Sequence, residues 1–277
     1  MDPGSDAVLR SRPRVRSVGL AGKGVAPRPV SRVKIVLRVL GGAAVLGAGL
    51  YGFHRVEQFL IRDPRFALNG TDGGASTLEI RGASHASAGA LEAAFREDSG
   101  RSVYLMPLAA RRVALRNVDW VKDAAVARAW PNRVFVEVSE RTPVAFVTLA
   151  PSRFGLIDED GVILPPAPDR FHLPVLTGVS LNDSPEDRRK RVHRMTSLMA
   201  SLGAAAAGIA EVDVSDASNL KVKQPSGGRM VTLLLGERNF AVRYQNFVTH
   251  FSEIQQKLPG AATLDLRLED RITVVDQ

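Results

Sequence analysis

Residues 33–53 read VKIVLRVLGGAAVLGAGLYGF, and between Arg38 and His54 fifteen consecutive residues carry no ionisable side chain except the phenol of Tyr51. A bilayer core about 30 Å thick needs roughly 20 apolar residues at about 1.5 Å each, so fifteen is short. Counting from Ile35 lengthens the run to nineteen, with Arg38 near one end. Arg38 can lay its aliphatic stem along a helix and lift its guanidinium to the headgroups. Ile35, Val39, Leu46 and Leu50 supply apolar bulk, while Tyr51 and Phe53 sit where interfacial aromatics are expected. Five glycines would weaken a soluble helix, but glycine is commoner in membrane helices. These features predict one transmembrane helix over 33–53. A buried helix of a soluble protein would show polar residues at helical spacing, and this run is apolar all round. A cleaved signal peptide would have a short basic leader and a small-residue cleavage site. Here more than thirty residues precede the run, and Gly49-Leu50-Tyr51 is a poor cleavage context.

The net charge of +8 would by itself suggest a nucleic-acid binder. Its distribution argues otherwise. Residues 1–38 hold nine cations against Asp2 and Asp6, and the other 239 residues are nearly neutral, with 28 cations and 27 anions. A basic flank stays in the cytoplasm, so the pattern predicts a cytoplasmic N-terminus and extracytoplasmic mass beyond Phe53. No aromatic interleaving or recognition module supports a DNA-binding arm, so no nucleic-acid partner is expected, and the bilayer is, with the basic tail able to touch anionic lipid. Residues 1–32, rich in Arg, Pro, Gly and Ser, are expected to be disordered. The chain has no cysteine, which excludes a disulfide framework and any Cys-ligated metal.

Beyond the span, residues 54–76 are expected to link to a folded part, with 54–63 able to continue the helix, Pro64 discouraging it further and 69–76 forming a loop. From Thr77 the pattern turns α+β. Leu78 and Ile80 share one face of a strand over 77–81. Ser87 can cap a helix ending near Gly100, and Pro107 opens a second through Arg116. Strands follow over 121–129 and 134–140, the latter with Val134, Val136 and Val138 on one face. Farther on, Asp160-Gly161 marks a hairpin. Ser184 caps a helix over 185–202, residues 240–258 form another helix, and strands are expected over 210–214, 219–222, 230–235, 262–267 and 271–275.

Asn117-Val118-Asp119-Trp120-Val121-Lys122, then Val126-Ala127-Arg128-Ala129-Trp130-Pro131, then Val136-Glu137-Val138-Ser139-Glu140-Arg141-Thr142-Pro143-Val144-Ala145 resemble the POTRA domain of the FtsQ/DivIB family of bacterial cell-division proteins. Leu173-Pro174-Val175-Leu176-Thr177-Gly178 and Asp265-Leu266-Arg267 extend the resemblance toward the C-terminus. It implies an α+β fold in three parts: the membrane helix, a β-α-α-β-β POTRA-like domain over 77–142, and a second mixed sheet domain with two helices over 143–277. It further implies a non-enzymatic scaffold in the bacterial inner membrane, enriched at the division septum. Its partners would be other single-pass division proteins of the FtsB and FtsL type. Three departures stand out, the first being the loop over 69–76, longer than the resemblance implies before the first POTRA strand. Ser215-Asp216-Ala217-Ser218 replaces a basic–aromatic pair, and Leu268 stands where an aromatic commonly follows.

A terminal strand over 271–275 would leave one edge open for an added strand, with Leu268, Asp270, Ile272 and Val274 tuning specificity beside Asp265, Leu266 and Arg267. Trp130, next to Pro131, is either a half-buried anchor or an exposed recognition residue. The run Arg188-Arg189-Lys190-Arg191 reads as a solvated helix face, or else as a contact surface. The five histidines are scattered, and Asp158-Glu159-Asp160 is explained by the turn beside Gly161. No catalytic constellation emerges, so neither a wall-acting enzyme, a cofactor, a metal nor a small-molecule substrate is expected. A POTRA protein of polypeptide transport is the alternative, but such proteins carry several units and a barrel, and only one unit is legible.

Overall fold

The computed structural model describes residues 32–68, 77–150, 153–257, 259–268 and 270–275. The basic tail expected over 1–31 and the loop over 69–76 lie outside them. The chain divides into two units, Met1–Val56 and Glu57–Gln277. In the first, helix α1 begins at Arg32, and every side chain from there to Val56 is exposed. This is the one helix among the described residues long and apolar enough to cross a membrane. It does not stop at Phe53: α1 runs as one helix from Arg32 to Arg62. Residues 54–62 extend the helix, as the reading of 54–63 allowed, and it ends just before Pro64. Asp63 caps a short 3-10 turn, Pro64–Phe66, by accepting from the Arg65 amide, and Phe66 and Leu68 are buried. The apolar side chains at 66 and 68 gain more from the core than from solvent, at about 1.5–3 kcal/mol for each one fully buried.

In the second unit, strand β1 (Leu78–Arg81), helix α2 (Ala88–Ala93), helix α3 (Leu108–Arg116), strand β2 (Val121–Ala129) and strand β3 (Arg133–Glu140) form a three-stranded sheet with two helices. The strand order is β1-β3-β2, with β1 parallel and β2 antiparallel to the central β3. Val134, Val136 and Val138 are buried as their alternation requires. Helix α2 is much shorter than expected. Ser87 does cap it, accepting from the Ala90 amide, but the chain then tightens into a 3-10 turn at Arg96–Asp98. Two long-range ties compete with further helix. Buried Asp98 accepts from Arg111 Nε at 2.6 Å, and residues 100 and 101 exchange backbone hydrogen bonds with Leu68.

The second sheet comprises β4 (Pro143–Ala150), β5 (Arg153–Asp158), β6 (Ile163–Leu164), β7 (Val175–Thr177), β8 (Glu211–Asp213), β9 (Leu220–Ser226), β10 (Arg229–Gly236), β11 (Thr263–Asp265) and β12 (Thr273–Val274). Its order is β12-β11-β10-β9-β8-β7-β4-β5-β6. Helices α4 (Pro185–Leu202) and α5 (Phe240–Lys257) pack on it through Val192, Met195, Leu198, Tyr244 and Phe247. Ser184 caps α4 as expected, accepting from the Asp187 amide. Strands β4 and β5 are covered on both faces. Ala145, Val147 and Ile157 join the core under the helices, whereas Phe146 and Leu156 join that of the first sheet.

The junction between the sheets is polar as well as apolar. Glu140, at the end of β3, accepts from the amides of Ser84, His85 and Ala86 and from His85 Nδ1. The other ring nitrogen of His85 reaches Asp169 at 2.7 Å, and the ring stacks on Trp120 with centroids 4.4 Å apart. Hydrogen bonds to Glu140 and then Asp169 raise the His85 pKa above its ordinary 6.5. Burial pushes the Glu140 carboxyl up, but the Ala86 amide, the His85 ring and the other amides outweigh it, and the net shift is downward from 4.5. Each shift implies a direction of pH dependence. The His85 contribution to stability is fully present below its unfolded pKa and fades as pH rises through the raised folded value. The Glu140 contribution is present above its unfolded pKa and fades as pH falls through the lowered folded value. Urea midpoints of the wild type should therefore fall, relative to His85→Gln, as pH rises through the raised His85 pKa, a limb that the variant's profile lacks. Parallel profiles for the two proteins would refute the assignment.

Candidate functional site

The candidate residues near the C-terminus gather around β11 and β12. These pair antiparallel, Leu264 opposite Val274 and Asp265 opposite Thr273, and the Val275 amide donates to Thr263 O at 3.0 Å. Backbone groups alternate in direction along an antiparallel strand. Thr273 and Val275 therefore point theirs at β11, while Ile272 and Val274 turn their N–H and C=O toward the open side. Their side chains, half-buried, pack against the core.

Beside this edge lies a groove of about 290 Å³ between α5 and the C-terminal segment. Arg243, Asn246, His250, Glu253 and Ile254 line it from α5, and Leu266, Leu268, Asp270, Arg271 and Ile272 from the other side. Leu266 is its floor: at 1% exposure its side chain belongs to the core, so of the candidates it is the one least able to meet a partner. Leu268 is 54% exposed. The rim charges are spent on each other. Arg271 pairs with Asp270 at 3.2 Å, and Glu253 with Lys257 at 2.6 Å. Arg267 forks onto Asp265, at 2.6 Å for the closest pair, and its guanidinium holds that carboxyl below the usual range. What is left exposed at this rim is the Leu268 side chain and the outward backbone groups of Ile272 and Val274.

The α5 wall was not anticipated as part of a site; the helical spacing of Phe240, Tyr244, Phe247, Phe251 and Ile254 spoke only for packing. Arg243 is the residue most deeply placed there. It is buried, donates from Nη1 to Leu235 O at 2.6 Å, and leaves Nε without a partner. The guanidinium fits because residue 236 is glycine. At φ +74° the backbone bulges, and a Cβ there would stand 2.6 Å from Arg243 Nη1.

Trp130 and Pro131 belong to a different place, the tip between β2 and β3. Trp130 is 66% exposed, so it is not the half-buried anchor of the first reading. The run from Arg188 to Arg191 is less solvated than expected. Arg188 donates to Gly161 O and Asp183 O, and Arg191 to Gly178 O and Asp183, so two of the four cations tie loops to α4. The replaced segment after β8 closes on itself, with Asp216 accepting from the Ser218 amide and hydroxyl. Among the described residues, no group of three His, Asp or Glu side chains is placed to hold a metal ion.

Residues 74–141 match the family model for the POTRA domain of FtsQ type, and residues 145–267 match that for the C-terminal region of cell division protein FtsQ/DivIB. A cell division protein FtsQ from Koribacter versatilis is 32% identical over 98% of this chain and 78% of its own length. The chain belongs to the FtsQ/DivIB family. Relatives of the same description from Novosphingobium aromaticivorans (30% identical) and Caulobacter vibrioides (32%) cover 71% and 63% of the chain; they are matched over 59% and 58% of their own lengths. The family places the chain in cell division, and together with the one helix among the described residues long and apolar enough to cross a membrane it supports a single-pass membrane protein. The FtsQ/DivIB C-terminal match ends at Arg267, so it takes in the α5 wall of the groove and Leu266 but not Leu268, Asp270, Arg271, Ile272 or β12.

Replacing Arg243 with Ala tests whether this buried guanidinium supports the groove. It strands Leu235 O, and leaving a buried acceptor unpaired costs about 1–3 kcal/mol. A lowered urea midpoint with unchanged far-UV circular dichroism is the expected result, and an unaltered midpoint would show that Arg243 carries no such load.

Proposed function

We propose that the protein is a non-enzymatic scaffold that joins other single-pass division proteins, of the FtsB and FtsL type, at the septum by accepting an extended segment against β12. The folded unit then lies outside the cytoplasmic membrane and the N-terminus inside. The charge asymmetry across the span supports that orientation, because cationic flanks are retained in the cytoplasm.

One observation carries the docking reading: the outward N–H and C=O groups of Ile272 and Val274 at the end of the sheet order. An edge strand with unpaired backbone groups is a template for a further strand, and backbone pairing supplies affinity with little demand on sequence. The opposite edge is unsuited to this. Strand β6 is two residues long and runs into Pro165-Pro166, which have no N–H to offer. The exposed Leu268 beside β12 gives an incoming segment one apolar contact, and the self-paired rim charges impose little charge preference. No group in the groove suggests a covalent or hydrolytic step, and the division family supports a scaffold.

Val274→Pro removes an outward donor while leaving the inward bonds of Thr273 and Val275 in place. Loss of one hydrogen bond together with the clash of the ring against a neighbouring strand is expected to weaken partner binding by about tenfold or more. Co-purification of division proteins with the full-length variant, with circular dichroism as a fold control, reads this directly. Undiminished capture by a folded Val274→Pro protein, and by one lacking 268–277, would remove this edge from consideration. A fluorescent fusion should concentrate at midcell in dividing cells; a uniform peripheral signal counts against the scaffold role itself.

A further inference from the structure

Trp130 is held firmly and yet faces outward. Phe66, almost wholly buried, sits at the centre of three rings: Phe59 at 5.3 Å, Tyr104 at 5.7 Å and Trp130 at 4.9 Å, all edge-on. Asn132 Nδ2 donates to Ala67 O at 3.2 Å and so ties the β2–β3 tip to the segment that follows α1. A groove of about 430 Å³ opens here, lined by Phe59, Phe66, Trp130 and Pro131 with Arg65 on its wall, and no carboxylate lines it. Arg65 stands over the Phe59 ring at 5.5 Å, though its charge is balanced by Asp63. Arg62, at the end of α1, and Arg133, at the start of β3, are exposed.

Two properties narrow the occupant. An indole on an apolar base, with cations near it, is the chemistry of a membrane–water interface, where the ring sits at headgroup level and the guanidinium meets phosphate. The second is covalent. Phe59 follows Phe53, the last aromatic of the span, by six residues, which can reach at most about 20 Å even when fully extended. The groove is thus tethered within reach of the leaflet next to Phe53. A peptide strand would find no row of free N–H and C=O groups at a hairpin tip, whereas a lipid surface needs none.

We propose that this groove is a second membrane contact, separate from the span: the Trp130 indole enters the interface of the adjoining leaflet, and Arg62 and Arg133 bind the phosphates of anionic phospholipid. The contact restrains the folded unit against the bilayer independently of any partner at β12.

Intrinsic fluorescence tests it, because the chain has two tryptophans and Trp120 is buried. The full-length protein is reconstituted in liposomes of phosphatidylglycerol and phosphatidylcholine, with acyl chains brominated or not. Bromine should quench roughly half of the wild-type emission, one indole of the two meeting lipid. Trp130→Phe, which keeps an aromatic ring on Phe66, should lose almost none. The pair Arg62→Gln and Arg133→Gln, or brominated phosphatidylcholine alone, should lessen the wild-type quenching. Equal quenching of wild type and Trp130→Phe overturns the proposal, as does protection of Trp130 only when a partner protein is added. Quenching as strong in phosphatidylcholine alone overturns the anionic-headgroup assignment. Partner capture by Val274→Pro is read in a separate assay, so failure here leaves the β12 reading standing.

Discussion

The two sheets are joined through a buried ion pair. Arg141, the residue after β3, places Nη1 2.5 Å from Asp158, at the end of β5, and Asp158 also accepts from the Val162 amide at 2.8 Å. A carboxylate buried this deeply is tolerable only when its charge and lone pairs are both met. That requirement fixes several elements together. The β5–β6 turn must bring the Val162 amide back to Asp158, which Gly161 permits at φ +76°. Helix α4 then crosses so near that a Cβ on Gly161 would lie 2.5 Å from the Arg189 amide nitrogen. Lys122 on β2 reaches Glu159, and Arg189 on α4 reaches Asp160. Three consecutive carboxylates thus address the first sheet, the junction and α4.

Around this pair the apolar side chains divide by face. Leu156 and Leu164, paired across β5 and β6, turn toward the core of the first sheet, and Ile157, next to Leu156, turns toward the core under α4 and α5. A strand buried on both faces has no polar side to display and reads as a continuous apolar run. This is why β4 was recognised only as a new segment after Pro143, its residues Val144 to Leu149 giving no alternation to follow. Where one face meets solvent the pattern was plain, as in β3, and α4 matched its expected bounds because Ser184, Pro185 and the acidic first turn mark its start in adjacent residues.

What was not legible depends on groups far apart in the chain. Glu140 serves amides more than fifty residues away, and His85 meets Asp169 eighty-four residues on. As isolated letters, both look like ordinary surface residues. The end of α2 could not be read for the same reason, since Asp98 abandons the helix for Arg111 and its neighbours pair with Leu68. At the candidate site, the strand residues were legible from alternation and resemblance, and the α5 wall was not. Arg243 sits beside Tyr244 in sequence, and only the bulge at Gly236 shows why a guanidinium can occupy that depth.

The sheet's two edges are finished differently, and the proposed docking at β12 rests on that difference. A row of free backbone groups in water invites pairing with any extended chain, so folded proteins shorten, bury or proline-block their edges. β6 is both short and followed by prolines. β12 is equally short but keeps its donors, and its two paired residues are held by β11, itself parallel to the long β10. Short strands offer few hydrogen bonds, so nonspecific pairing at β12 is weak. A segment that also fills the groove over Leu266 and meets Leu268 gains apolar burial in addition. In the proposed docking, selectivity comes from coupling the backbone ladder to that groove, one wall of which is α5, packed beside β10.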